Sequence, residues 1–289
     1  MKIGVSSYSY SRCNLSSLEV LKKAREMGFE AIEFSGLSSP PEGETMVTYA
    51  AMIREEAEKL GIEIVNYAIA ADFIAGSGGD LDKEIQRVKE EVKIAEALGV
   101  PCMRHDAAWG IPKGYNNARG FDDVLPLLVK GCRAVTEFAQ DLGIKTTIEN
   151  HGYFCQDSDR VEKLINGVNH SNFGLLLDIG NFLCVDEEPV KAVGRLLPYV
   201  FHVHVKDFHV KSGMMPDPGK GWFKTRGENY LRGAIIGHGD VPIIQCLRQL
   251  KNAGYDGTFS IEFEGIEDPI LGISVGAENL RRYIKDIMG

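Results

Sequence analysis

The chain has 289 residues, close to the length of about 250 at which eight strand–helix units make one barrel. Hydrophobic residues at 44% and charged residues at 25% are the proportions of a globular protein with a sizeable core. A formal net charge of -9 disfavours a duplex nucleic-acid partner, whose phosphates reward a basic surface.

No apolar run is long enough to span a bilayer, and the opening MKIGVSSYSY turns polar too soon for a secretory signal. The expected setting is therefore the cytoplasm, with no membrane or nucleic-acid partner. Cys13, Cys102, Cys132, Cys155, Cys184 and Cys246 form no CxxC pair and read as reduced thiols.

Short apolar strands alternate with amphipathic stretches along the chain. Strands are expected at 3–7, 31–36, 62–69, 102–106, 145–150, 173–180, 199–207 and 258–264. Helices are expected near 17–27, 45–60, 81–98, 123–142, 158–168, 188–197, 241–253 and 275–288. Gly28, Gly61, Gly99, Gly143 and Gly254 stand where a left-handed residue stops a helix.

Strands separated by helices pair in parallel. Eight units favour a single α/β domain over 1–289, a (β/α)8 TIM barrel, with an open doubly wound sheet as the alternative. The GxGxxG and Walker signatures of nucleotide-binding open sheets are missing. The segment 208–239, rich in Gly and Pro, reads as one long irregular loop on the catalytic face.

Strand side chains alternate faces. In FHVHVKD, Phe201, Val203 and Val205 share one parity while His202, His204 and Lys206 share the other. The same test turns Thr147 and Glu149, Asp178, Ser260, Glu262 and Glu264, and also Glu33 and Asn66, toward the barrel axis. Carboxylates converging there repel one another and suffer desolvation, which a divalent cation relieves. Glu149, Asp178, His204 and Glu262 form an oxygen-rich set with one nitrogen. That suits Mn2+ first, with Mg2+, Co2+ or Zn2+ as alternatives.

The segments TIEN-H (147–151), LLLDIGN (175–181), HVHVKD (202–207), GHGDVP (237–242) and GYDGTFSIEFEG (254–265) together resemble the sugar phosphate isomerase/epimerase family. That family has a xylose-isomerase-like barrel, shared by endonuclease IV, and the resemblance covers essentially the whole chain. It implies one metal ion held by Glu149, Asp178, His204 and Glu262, with Glu149 and Glu262 as base and acid. Asn181 stands where ketose epimerases usually carry a substrate-contacting histidine, and Cys155 where they carry a further glutamate. The ENH run is similar to a branch that eliminates from 3-keto-glycosides, in which His151 is the base.

The leading expectation is thus a metal-dependent isomerase or epimerase of a sugar or sugar phosphate. It abstracts a proton beside a metal-bound carbonyl, with Lys206 supplying positive charge to the oxyanion. Asn181, His202, Glu33, Asn66, Arg104, Trp109, Arg226 and His238 are expected at the substrate, and Trp222 either there or in loop packing. The alternatives are a lyase acting through His151, an endonuclease IV-like repair enzyme and a non-catalytic sugar-binding barrel. GHGDVP reads as a phosphate cradle or only as the turn before the next helix. Homodimers or homotetramers are the expected assemblies.

Overall fold

The computed structural model describes residues 2–288. Eight parallel strands close in the order β1 (Lys2–Ser6), β11 (Thr258–Ile261), β7 (Val200–Val205), β6 (Phe173–Asp178), β5 (Lys145–Glu149), β4 (Cys102–His105), β3 (Glu63–Ile69) and β2 (Ala31–Ser35). This is the (β/α)8 barrel, and it rules out the open doubly wound sheet: β1 pairs with β11 as well as with β2.

The helices around it are α1 (Ser17–Glu26), α2 (Met46–Leu60), the four-residue α3 (Gly76–Gly79), α4 (Leu81–Leu98), α5 (Phe121–Asp141), α6 (Ser158–Val168), α7 (Pro189–Leu196), α8 (Ile243–Asn252) and α9 (Pro269–Met288). None of the described helices is long and apolar enough to cross a membrane.

Local chemistry sets the element ends. At α1 the Ser16 side chain accepts from the Glu19 amide while the Glu19 carboxylate accepts from the Ser16 amide, a reciprocal cap. α2 and α4 stop where Gly61 and Gly99 take positive φ of 63° and 74°. The outward parity of the strands packs under the helices: Ile148, Leu177, Val203 and Ile261 are completely buried. Each such side chain contributes about 1.5–3 kcal/mol of burial.

Three expectations change. α5 begins at Phe121 and not near 123, because the Asp123 carboxylate accepts from the Arg119 and Gly120 amides and draws the cap back. α9 begins at Pro269 and not near 275: Asp268 caps the Leu271 amide and proline suits the first helical turn. The segment 208–239 is not simply irregular. It holds an antiparallel sheet of β8 (Asp207–Lys211), β10 (Tyr230–Ala234) and β9 (Phe223–Lys224). Its turn-forming composition hides three short strands, with β10 paired to both β8 and β9.

Register carries the inward parity to one level. Asp178 stands beside His204, and His204 beside Ser260. The register of β2 against β3 shifts between Ile32 and Glu33, so that Glu33 pairs with Asn66 and both are completely buried inside the barrel.

Candidate metal centre and substrate cavity

A cavity of about 650 Å3 opens at the C-terminal ends of the strands. Its lining includes Glu149, His151, Lys206 and Glu262, with Arg104 and Trp109 on the side of β4. Glu149 and Glu262 reach into the cavity, and with Asp178 and His204 just beneath they bring one ligand atom each within 4.8 Å of one another. His204 Nδ1 lies 3.6 Å from Glu149 Oε1, 3.7 Å from Glu262 Oε2 and 3.9 Å from Asp178 Oδ2.

The surrounding bonds aim these atoms. Asp178 Oδ1 accepts from the Gly180 and Asn181 amides at 2.7 and 2.8 Å, which turns Oδ2 into the cluster. The Asn150 side chain bonds both the N–H and the C=O of Asp178 and splices β5 to β6 where they diverge. Asn181 donates to Glu149 Oε1 at 3.1 Å and accepts from Lys206 Nζ at 3.2 Å. Arg104 Nη2 stands 2.9 Å from Glu149 Oε2, and Lys206 Nζ stands 2.5 Å from Glu262 Oε2.

These residues fit a divalent cation. Asp178 Oδ2 and His204 Nδ1 are buried with no hydrogen-bond partner, although each is costly to leave so. At bond lengths of about 2.1 Å, ligand atoms around one cation stand about 3–4 Å apart, as these do.

The side chains alone balance their charge through protonation. Burial would lower the His204 pKa, but Glu33 and Glu262 outweigh it and hold the ring well above its ordinary value. Burial, reinforced by Glu149 and Glu262, pushes Asp178 up to about 6. Burial works against a charged Glu149, yet Arg104 and His204 keep it below the usual carboxylate range. Burial likewise opposes the Lys206 ammonium, and Glu262, Glu264 and Asp178 reverse it.

Other expected substrate contacts lie elsewhere. Glu33, Asn66 and His202 sit beneath the cluster and do not line the cavity. There His204 Nε2 meets Glu33 Oε1 at 2.6 Å, and Asn66 and His202 hold Glu33 Oε2 at 3.1 Å each. Asn181 is buried behind Glu149.

Arg226 does not close over the cavity. It pairs with Asp157 at 2.5 Å and donates to the Tyr153 carbonyl. His238 is exposed in the turn before α8. Trp222 packs between Lys211 and Arg232. The GHGDVP turn is occupied by the chain's own Asp207, whose carboxylate accepts from the amides of Gly237, Gly239 and Val241.

Sequence reasoning missed Asp106, since CMRHD reads as a strand ending in a loop. In the structure Asp106 joins Arg104 at 3.2 Å and His151 Nδ1 at 3.1 Å. Tyr8, Tyr67 and Glu91 also line the cavity, and no periodic pattern marks them.

The likeness to known proteins follows the same frame. An uncharacterized protein of Methanocaldococcus jannaschii is 24% identical over 293 residues, covering 99% of this chain and 90% of that one. An inosose dehydratase of Clostridium beijerinckii is 26% identical over 171 residues, a match spanning 56% of this chain and 54% of that enzyme. The structure of 3-keto-D-glucoside 4-epimerase from Escherichia coli superposes with a TM-score of 0.72 at 15% identity, over 98% of this chain and 99% of that one. The family model for the xylose isomerase-like TIM barrel matches residues 21–283, and the chain belongs to that family.

Proposed function

We propose that this protein is a divalent-metal-dependent isomerase or epimerase that removes a proton beside the carbonyl of a small polyhydroxylated ketone. The observation that carries the reading is the convergence of Glu149, Asp178, His204 and Glu262 at and just beneath the cavity floor, with Asp178 Oδ2 and His204 Nδ1 buried and without a hydrogen bond. A cation held by these four, Mn2+ by preference, supplies Lewis-acid polarisation of a carbonyl and its neighbouring hydroxyl and so acidifies the adjacent C–H.

The chain's own groups do the proton work. Glu149 and Glu262 stand on either side of His204 and carry the proton from the carbon and back. Arg104 keeps Glu149 ionised, and the Lys206 ammonium beside Glu262 offsets negative charge growing on the substrate oxygen. The dehydratase and the 3-keto-D-glucoside epimerase named above support this reading, because loss of water beside a ketone and inversion beside one can each begin with removal of the proton next to that carbonyl. They differ in whether that proton returns or a hydroxyl leaves.

A lyase is the second reading. The Asp106–His151 contact at the cavity wall favours it, because an imidazole backed by a carboxylate can serve as base or as acid to a leaving group. The experiment is an NMR assay of Mn2+-loaded protein in D2O with a panel of polyhydroxylated ketones, neutral and phosphorylated. Deuterium entering recovered or epimerised ketone supports the first reading, and loss of water or an aglycone supports the second. Absence of both across the panel, with Mn2+ shown to be bound, sinks the proposal.

A further inference from the structure

Two overlapping groups of ligand-type side chains share His204: the cluster at the cavity floor, and Glu33 with His202 directly beneath it. An imidazole offers a lone pair on only one nitrogen when neutral, so His204 serves a cation in one group or the other. The distances decide between them. His204 Nε2 and Glu33 Oε1 are 2.6 Å apart, a direct hydrogen bond with no room for an ion between the atoms. Glu33 Oε2 is already met by Asn66 Nδ2 at 3.1 Å, and His202 Nε2 by Ser260 Oγ at 3.0 Å. On the upper side His204 Nδ1 makes no hydrogen bond and faces the carboxylates of Glu149, Asp178 and Glu262 at 3.6–3.9 Å.

We infer that Glu33 is a positioning residue that fixes His204 in the tautomer with hydrogen on Nε2, so that the bare Nδ1 faces a single cation in the upper cluster. The inference rests on the metal-dependent reading above and assigns Glu33 to the metal and not to the substrate.

The rest of the lower group supports the role. Glu33 is completely buried, and its Oε2 accepts from Asn66 Nδ2, a donor that favours the ionised form. An ionised carboxylate accepts and cannot donate, which forces the proton onto the His204 side of the bond. The bond also fixes the plane of the ring. A carboxylate behind a ligating histidine orients the ring and raises its basicity, and loss of such a partner typically costs about 10–100-fold in metal affinity. The register shift at Ile32/Glu33 sets Glu33 beside Asn66, which donates to its Oε2.

The test reads metal binding and tautomer, not turnover. Calorimetric titration of metal-free protein with Mn2+ is expected to give one equivalent bound. Glu33→Gln keeps the shape but removes the charge and exchanges one accepting oxygen for a donating amide nitrogen. It is expected to weaken binding about 10–100-fold at unchanged stoichiometry, with the circular dichroism spectrum preserved. Glu33→Gln binding Mn2+ as tightly as the parent overturns the inference, as does a second equivalent that this substitution abolishes.

Should the variant fail to fold, the unaltered protein still decides. Long-range 1H–15N spectra of the Mg2+-loaded protein are expected to show His204 with hydrogen on Nε2, and hydrogen on Nδ1 overturns the assignment. Failure of the parent to bind Mn2+ or Mg2+ instead overturns the metal-dependent reading itself.

Discussion

His151 Nδ1 stands 3.1 Å from the Asp106 carboxylate, and the ring meets the edge of Trp109 at 5.2 Å between centroids. The ring is therefore held in one orientation at the cavity wall, two residues beyond Glu149. Burial lowers the His151 pKa, but the Asp106 hydrogen bond and the charges of Glu149 and Asp106 more than compensate and raise it. His151→Gln removes a proton carrier without touching a candidate metal ligand. On the lyase reading its kcat is expected to fall about 10²–10⁴-fold, and on the isomerase reading, where Glu149 and Glu262 carry the proton, far less, while Mn2+ affinity stays at the parent value in both. Asp106→Asn is expected to show a smaller loss in the same direction. Parental kcat in both variants would reduce the pair to a fastening of the loop after β5.

On the metal-dependent reading a bound cation would stabilise the folded chain by mass action, because the four candidate ligands come from β5, β6, β7 and the residue following β11 and meet only in the native fold. Mn2+ at about 100 times its dissociation constant is expected to add about 3 kcal/mol, and EDTA to remove it. Asp178→Asn is expected to abolish the difference. Urea unfolding with and without Mn2+ measures all three. Equal stabilisation of the parent and Asp178→Asn would place the binding site elsewhere.

Much of this centre was legible because a strand obeys a period of two. HVHVKD alternates without a break, so His204 and Lys206 share a face whatever the helices outside do. The same rule put Glu33 and Asn66 inside correctly but could not set their depth. Depth depends on the stagger of strands around the closed barrel and on the shift at Ile32/Glu33. Roles at the mouth were less legible still. Arg226 and Trp222 lie in a segment whose antiparallel sheet depends on pairings distant in sequence, and neither lines the cavity. Asp106 gave no signal at all, since its contact with His151 spans 45 residues of chain.

His105 predicts an acid-sensitive fold. It is completely buried between Phe73 and Phe173, with Nδ1 on the Asp106 carbonyl and Nε2 unpartnered. Burial pushes its pKa down to about 4, below the unfolded value near 6.5. As pH falls below 6.5 the unfolded chain takes the proton first, so stability present above that pH is lost progressively and the loss levels off below 4. The expected cost between pH 7 and pH 5 is about 2 kcal/mol. His105→Asn, which cannot titrate, is expected to lower stability at pH 7 and to flatten this part of the profile. Urea midpoints of parent and variant at both pH values test it, and parallel profiles would show that His105 does not govern the acid response.

Asp207 and Gly239 make the sharpest prediction about the fold near the site. Asp207 follows Lys206 directly, and its carboxylate accepts from the amides of Phe208, Gly237, Gly239 and Val241. This ties the end of β7 to the turn before α8. A methyl group on Gly239 would sit 2.2 Å from Asp207 Oδ1 and 2.5 Å from the Phe208 carbonyl oxygen. The second contact is with backbone, which cannot swing aside. Gly239→Ala and Asp207→Ala are therefore each expected to cost about 2–4 kcal/mol, the first by forcing the turn off the carboxylate and the second by orphaning its amides. The double variant is expected to lose little more than either alone, because one broken turn accounts for both. Lys206 is the residue next to the break, so substrate turnover should fall more than Mn2+ affinity. Additive losses in urea unfolding would mean that the turn is held by something other than Asp207.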